Sequence, residues 1–268
     1  MMTAKDLMRA GRLSEARRLL IEEVKSAPTD AGKRTLLFQV LAWGGEWDKA
    51  ERHLDLISTQ DPGRTVGVHD YLDIVRAEKE RLKVMALQQQ PSFLPEPPAY
   101  FTLYMEYLAS LQAGSHETAK ELIGRIDGLR PQVSGTLNGK PFEGFSDSDA
   151  RLVAFLEAFV HERYVWIPFE SIRELVVYEP KTSFDLIWVT ASVTTWAGLS
   201  MNCSLPVVYP GSFDHDDEQA KMGRITDWVA LGGGFSRAVG QHVFQAGDED
   251  ISILDIREVT FRLEGGQP

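Results

Sequence analysis

The chain holds one cysteine, Cys203, in 268 residues. That excludes a disulfide framework and any cysteine-rich zinc module, and it fits a reducing compartment. Long apolar runs are missing as well. None approaches the roughly 18 residues of a membrane helix, so no membrane insertion is expected. The first twenty residues, MMTAKDLMRAGRLSEARRLL, carry charges throughout and no apolar stretch, unlike a secretory signal. A cytoplasmic location is the natural expectation. Positive charge is scarce: 28 Lys and Arg stand against 39 Asp and Glu, a formal net charge of -11. The deficit is uneven. Residues 1–135 carry 18 basic and 19 acidic side chains, and residues 136–268 carry 10 and 20. The C-terminal half would repel a phosphate backbone and no compact basic patch opposes this, so nucleic acid is not an expected partner. At 43% hydrophobic and 25% charged, the composition is that of a globular protein able to bury a sizeable core.

What is present first is repetition. Gly11, Leu13, Ala16, Leu20 and Pro28 recur 34 residues later as Gly45, Trp47, Ala50, Leu54 and Pro62. A third copy reads Gly114, His116, Ala119, Ile123 and Pro131, offset by 69 from the second, about two such periods. Each position has a physical reason. Glycine breaks the first helix and permits the turn. The small alanine lets two helices approach, and the larger residue four positions on fills the gap on the same face. Proline ends the second helix. This is the pattern of a tetratricopeptide (TPR-like) helical hairpin. Three unrelated amphipathic hairpins are the plain alternative, and the five-point match favours a repeat.

Helices are expected over 3–10 and 12–26, 31–43 and 46–59, about 68–88, and near 99–113 and 116–127. The long middle helix carries Tyr71, Leu72, Val75, Leu82 and Met85 on one stripe. The segment QQQPSFLPEPP, residues 88–98, has four prolines and reads as a linker or strut.

Residues 130–146, rich in Gly, Pro, Ser and Asn, mark a boundary, with a possible hairpin about Asn138-Gly139. A helix is expected over 148–162, from Leu152, Val153, Phe155, Leu156, Phe159 and Val160. Strands follow, in a run starting at Trp166 and at 172–178, 184–195, 205–209, 225–231, 239–245 and 251–263. No crossover helix separates most of them, so the sheet should be mainly antiparallel, open or as a small barrel, and covered by the helix at 148–162. The expectation is therefore an α+β protein of two domains: a TPR-like helical repeat domain over 1–130 and an α+β domain over 131–268.

The constellations tested for chemistry are weak. Phe213 to Glu218, FDHDDE, is the densest set of potential ligands, but the glycine and twelfth-position glutamate of a calcium loop are not in place. His161-Glu162 lacks the second histidine of a zinc-protease helix and reads as a salt-bridged helix end. Gly232-Gly233-Gly234 lacks the ending of a phosphate-binding loop and reads as a turn between strands. There is no Gly-x-Ser-x-Gly elbow. Cys203 could act as nucleophile with His215 or His242 as base, although a lone cysteine in an apolar strand is more often core. No catalytic residue, metal or cofactor is assigned. Stacked hairpins instead form a groove that accepts a peptide or helix.

The chain resembles the ImpE family, also called TagJ or SciE-type proteins. The resemblance rests on LLFQVLAWGGEWDKAERHLDLISTQD from Leu36 to Asp61 and on YLDIVRAEKER from Tyr71 to Arg81. It continues in Asp185-Leu186-Ile187-Trp188, in Leu205-Pro206 followed by Tyr209-Pro210-Gly211-Ser212, in Gly223-Arg224 with Thr226-Asp227-Trp228, and in Gly240-Gln241. Where this family usually has Pro-Ala after Asp-Leu-x-Trp, this chain has Val189-Thr190-Ala191. The resemblance implies a non-enzymatic accessory protein of the bacterial type VI secretion system. Its implied partner is the N-terminal helical segment of the small contractile-sheath subunit, and its implied role lies in sheath assembly or ATPase-driven disassembly.

Candidate partner-binding residues are Trp43, Trp47, Tyr71 and Tyr104 in the repeat groove. Tyr209, Asp227 and Trp228 form an alternative surface. If buried and hydrogen-bonded, Asp227 and Trp228 would instead serve the fold, which is the favoured reading of the pair. The competing functional reading is a hydrolase using Cys203 or the acidic loop 214–218.

Overall fold

Three glycines set the helical hairpins. Gly11, Gly45 and Gly114 all adopt a left-handed conformation, with φ of 74°, 66° and 70°. In this computed structural model, which describes residues 2–60, 63 and 65–263, each sits between an ascending and a descending helix. These are α1 (Ala4–Arg9) and α2 (Leu13–Ser26), α3 (Ala31–Trp43) and α4 (Trp47–Gln60), and, later in the chain, α6 (Phe101–Gln112) and α7 (His116–Asp127). Between the second and third pairs runs the long helix α5 (Thr65–Met85). The expected small contact residues, Ala16, Ala50 and Ala119, are fully buried, and Leu20 and Leu54 lie beside them in the core. Thr3 and Asp6 form a reciprocal cap that starts α1, and Asp30 caps α3 through the Lys33 amide. Pro62 and Asp61 lie outside the described residues.

The proline-rich stretch is a strut with a strand in it. β1 (Ser92–Phe93) pairs in parallel with residues 165–166 in a strand of the main sheet. The second half supplies the rest: β2 (Val133–Leu137), β3 (Lys140–Glu143), β4 (Phe145–Asp147), β5 (Phe155–Val160), β6 (Arg163–Pro168), β7 (Ile172–Val177), β8 (Trp188–Thr195) and β9 (Ser200–Pro206). After the short α8 (Glu218–Lys221) come β10 (Thr226–Gly232), β11 (Phe235–Gly240), β12 (Val243–Ala246), β13 (Glu249–Ser252) and β14 (Glu258–Leu263). Nine strands form one sheet in the order β1-β6-β5-β9-β8-β7-β14-β2-β3, antiparallel except at β1. β10 and β11 form a separate hairpin, and β13-β12-β4 a small third sheet. No helix among the described residues is long and apolar enough to cross a membrane.

One expected element does not exist. Residues 148–162 are not a helix: turns lead to Ala154, strand β5 follows, and His161, with φ 54°, turns the chain into β6. The reason is burial on both faces. Phe155 and Phe159 point into the core shared with the helices, while Leu156 and Ala158 point into the core on the other side of the sheet. A strand covered twice reads as a nearly continuous apolar run, whose spacing imitates a helical face. The sheet is instead covered by the helical array. Tyr104 meets Phe155 edge-on at 4.8 Å, Phe155 stacks on Trp166 at 4.8 Å, and Phe38 and Tyr71 pack on Phe184 and Trp188.

The segment 210–224 ties the sheet to the helical turns. Phe213 lies over Gly45, where an added Cβ would come within 2.4 Å of its ring, and Glu218 accepts from the Ser14 amide at 2.9 Å. Gly45 therefore meets two demands, a left-handed turn and a close neighbour, whereas Gly114 has open space where a Cβ would go. Gly114→Ala should cost about 1–2 kcal/mol through backbone strain alone. Gly45→Ala should cost measurably more. Urea midpoints falling in the order wild type, Gly114→Ala, Gly45→Ala check this; equal midpoints for the two variants would contradict it.

Candidate functional site

On α5, Glu78 and Arg81 are three residues apart and share the face turned to the sheet. On β5, Glu157 lies between Phe155 and Phe159 on the face turned to α5. The helix and strand meet through these charges. Arg81 grips Glu157 with two parallel hydrogen bonds of 2.8 and 2.7 Å, reaches Glu78 at 3.3 Å, and donates to the Val208 carbonyl at 2.9 Å. His242, just before β12, stands between two carboxylates: Nδ1 is 3.0 Å from Asp147 and Nε2 is 3.0 Å from Glu157. Tyr164 donates to Glu157 and receives the Trp166 indole N–H at 2.6 Å, and the Trp188 indole donates to Glu78 at 2.9 Å. Tyr209 donates to Asp147 at 2.8 Å and receives the Val243 amide. Glu78, Arg81, Asp147, Glu157 and His242 are all buried.

Burial alone would push Glu157 up. The Arg81 charge and the hydrogen bonds from Arg81 and His242 outweigh it and hold the carboxyl well below its usual range. Burial would lower His242, but its bonds to Asp147 and Glu157 raise it. For Glu78 and Asp147 burial prevails over their hydrogen bonds and raises both. Both ring nitrogens lie at hydrogen-bond distance from carboxylate oxygens, a geometry that suits the protonated imidazole, although the Arg81 guanidinium also comes within 3.3 Å of Nε2. The free space beside Glu78 and Arg81 is about 20 Å³, room for about one water molecule. Chemically the arrangement is a latch between helix and sheet.

The sequence-selected residues fall into two groups. Trp43, Tyr104 and Tyr209 are buried, and Trp47 and Tyr71 are half-buried in an aromatic seam with Trp188 at 6.3 and 6.2 Å. The inner face of the helices, expected as an open groove, is thus filled by the chain's own Phe184 and Trp188. Asp227 and Trp228 are exposed on β10, Trp228 at 45%, so the structural reading favoured for them does not describe their placement. His215 lies 3.4 Å from Asp227. The structure does not join Cys203 to either histidine by a hydrogen bond. Cys203 pairs with Ala191 across β8 and β9 in an apolar core, and burial pushes its thiol up to about 12. In the acidic loop, Asp217 caps α8 through the Gln219 amide and Glu218 serves Ser14. Among the described residues no group of three or more His, Cys, Asp or Glu side chains is placed to hold a metal ion.

Two surface clefts lie along the contact between the helices and the second half of the chain. One of about 540 Å³ opens between α1, α3 and the segments before β8 and after α8. The other, about 450 Å³, lies between the ends of α5 and α6 and the β10–β11 hairpin.

Arg81→Met removes the cation from a buried cluster and should cost roughly 3–5 kcal/mol, with Arg81→Met/Glu157→Gln recovering part of it. Chemical denaturation of both variants checks this; an additive double variant would contradict it. The pH dependence follows from the shifts. Glu157 is lowered, so its contribution is present above its unfolded value near 4.5 and is lost as pH falls. His242 is raised, so its contribution is complete below its unfolded value near 6.5 and is lost as pH rises through the folded value; the raised Asp147 acts in the same sense. Stability should therefore decline on the alkaline side of about pH 6.5, read as urea midpoints from about pH 6 to 9. A flat profile there would contradict the assignment.

A family model described as ImpE protein matches residues 139–260. The type VI secretion system accessory component TagJ of Pseudomonas aeruginosa is 33% identical over 260 residues, covering 97% of this chain and 91% of that protein. The crystal structure of protein VPA1032 from Vibrio parahaemolyticus superposes with a TM-score of 0.88 at 22% identity, covering 97% of each chain, which shows the shared fold. Identity at this level, spread over nearly the full length of this chain and of TagJ, places the protein in the ImpE family.

Proposed function

We propose that this protein is a non-enzymatic, cytoplasmic accessory component of a bacterial type VI secretion system. In this reading its TPR-like hairpins over 1–130 and the sheet-bearing part over 131–268 together form a platform. The platform binds the N-terminal helical segment of the small contractile-sheath subunit during sheath assembly or disassembly. The observation that carries the reading is the near full-length relation to the accessory component TagJ. Two further observations support it. The two clefts between the helices and the second half are large enough for the apolar anchors of a helix. The buried acid and base groups are spent on one another and on the fold rather than turned to an open cavity.

The competing hydrolase reading draws less support, because the Cys203 thiol is raised rather than activated. Titration of a synthetic peptide of the sheath subunit's N-terminal segment into the full chain tests the proposal by calorimetry. Saturable binding with a negative heat-capacity change, the mark of apolar burial, is expected. Heat that never saturates would overturn it.

A further inference from the structure

The larger of the two clefts carries positive charge on an acidic protein. Its floor is apolar: Met8 and Met222 are buried, Leu36 is half-buried, and Leu186 stands exposed at the edge. Its charged lining residues are all cations, Lys5 and Arg9 from α1 and Arg224 after α8. No carboxylate of the described residues lies within ion-pair distance of the three, and only Arg224 is engaged, donating to the Met8 carbonyl at 2.6 Å. Lys5 and Arg9 are exposed, and the nearby Asp6 carboxylate is held by the Thr3 cap. Trp43, also in the lining, is 4% exposed and its indole N–H has no hydrogen-bond partner among the described residues. In a chain of net charge -11, three cations around an apolar hollow, none held by a carboxylate of the described residues, set a local potential that favours a negative partner. The smaller cleft is also lined by cations, Arg151 and Arg237, but there Asp149 already neutralises Arg151 at 2.6 Å.

We propose that this cleft is the docking site for an amphipathic helix of a partner protein, one that inserts apolar anchors and flanks them with aspartate or glutamate. The inference rests on the reading above, that the chain binds a helical segment of another protein, and adds the place and the charge. The volume of about 540 Å³ suits the side chains of one helical face better than a whole helix. The carboxylates of the partner lie over Lys5 and Arg9, where they steer approach and fix direction more than they add affinity. The β10–β11 surface offers less positive charge: Asp227 stands beside the exposed Trp228, and of the two arginines in the cleft at that hairpin Arg151 is already paired with Asp149.

The test uses the full chain carrying methyl-labelled methionine, with signals assigned through single Met→Leu variants. Met8 and Met222 report this cleft, and Met85 reports the other. Two designed helical peptides with the same leucine spine are titrated, one flanked by glutamates and one by lysines. The glutamate peptide should shift Met8 and Met222 but not Met85, and should bind roughly tenfold or more tightly than the lysine peptide. Lys5→Glu/Arg9→Glu, at exposed positions, should reverse that preference while the other methyl signals stay in place. Unchanged affinity of the double variant for the glutamate peptide would overturn the proposal, as would shifts confined to Met85. So would saturation by decanoate where neither peptide binds, or self-association of the chain that the double variant abolishes. The sheath-subunit segment is the last arm. If it binds without moving Met8 and Met222, the cleft assignment falls and the functional reading stands. If the glutamate peptide behaves as expected and the sheath segment does not bind, the reverse holds.

Discussion

The Arg81–Glu157 pair is the interaction on which the arrangement depends. Two unit charges out of water carry a desolvation cost of several kcal/mol each, recovered only when geometry and partners are complete. Here they are complete: both guanidinium contacts to the carboxylate are short, and Val208, Glu78, Tyr164 and His242 take up the remaining capacity. Apolar contacts between α5 and the sheet would tolerate sliding. A bidentate ion pair does not, so α5 has one axial position on β5, and the helices packed on it inherit that position.

Much of this was readable from residue patterns, and the failures have identifiable causes. The hairpin turns at Gly11, Gly45 and Gly114 follow from local chemistry, as do the Asn138-Gly139 turn and the alternation of Val259, Thr260, Phe261 and Arg262 in β14. The error at 148–162 arose where local spacing is ambiguous, because a strand covered on both faces leaves no polar alternation. The latch was missed for a different reason. Its members are 76 and 95 residues apart in sequence, Arg81 from Glu157 and Asp147 from His242. One signal was present: Glu78 falls on the stripe through Tyr71, Val75, Leu82 and Met85, and Glu157 interrupts the apolar run FLEAFV. A charge inside an apolar pattern asks for a distant partner of opposite sign.

The candidate binding residues show the same limit. Aromatic side chains are favoured both in cores and at interfaces, so their presence on repeat helices does not decide between the two. Tyr71 and Tyr104 are covered because the sheet arrives on the inner face of the hairpins with Phe184, Trp188, Phe155 and Trp166. Two open clefts lie at the margins of that contact.

The stitching of residues 210–224 onto the helical turns has a consequence for biosynthesis. Ser14 receives its partner Glu218 from 204 residues further along the chain. The helical half leaves the ribosome first, and its aromatic inner face, Phe38 and Tyr71 among others, stays wet until Phe184 and Trp188 are made. Long-range closure of this kind is slow, and uncovered apolar surface in the interval is a site for self-association. The nascent chain therefore passes through a stage in which the surface later used to hold its own sheet is free to hold something else, and a chaperone has its best opportunity there.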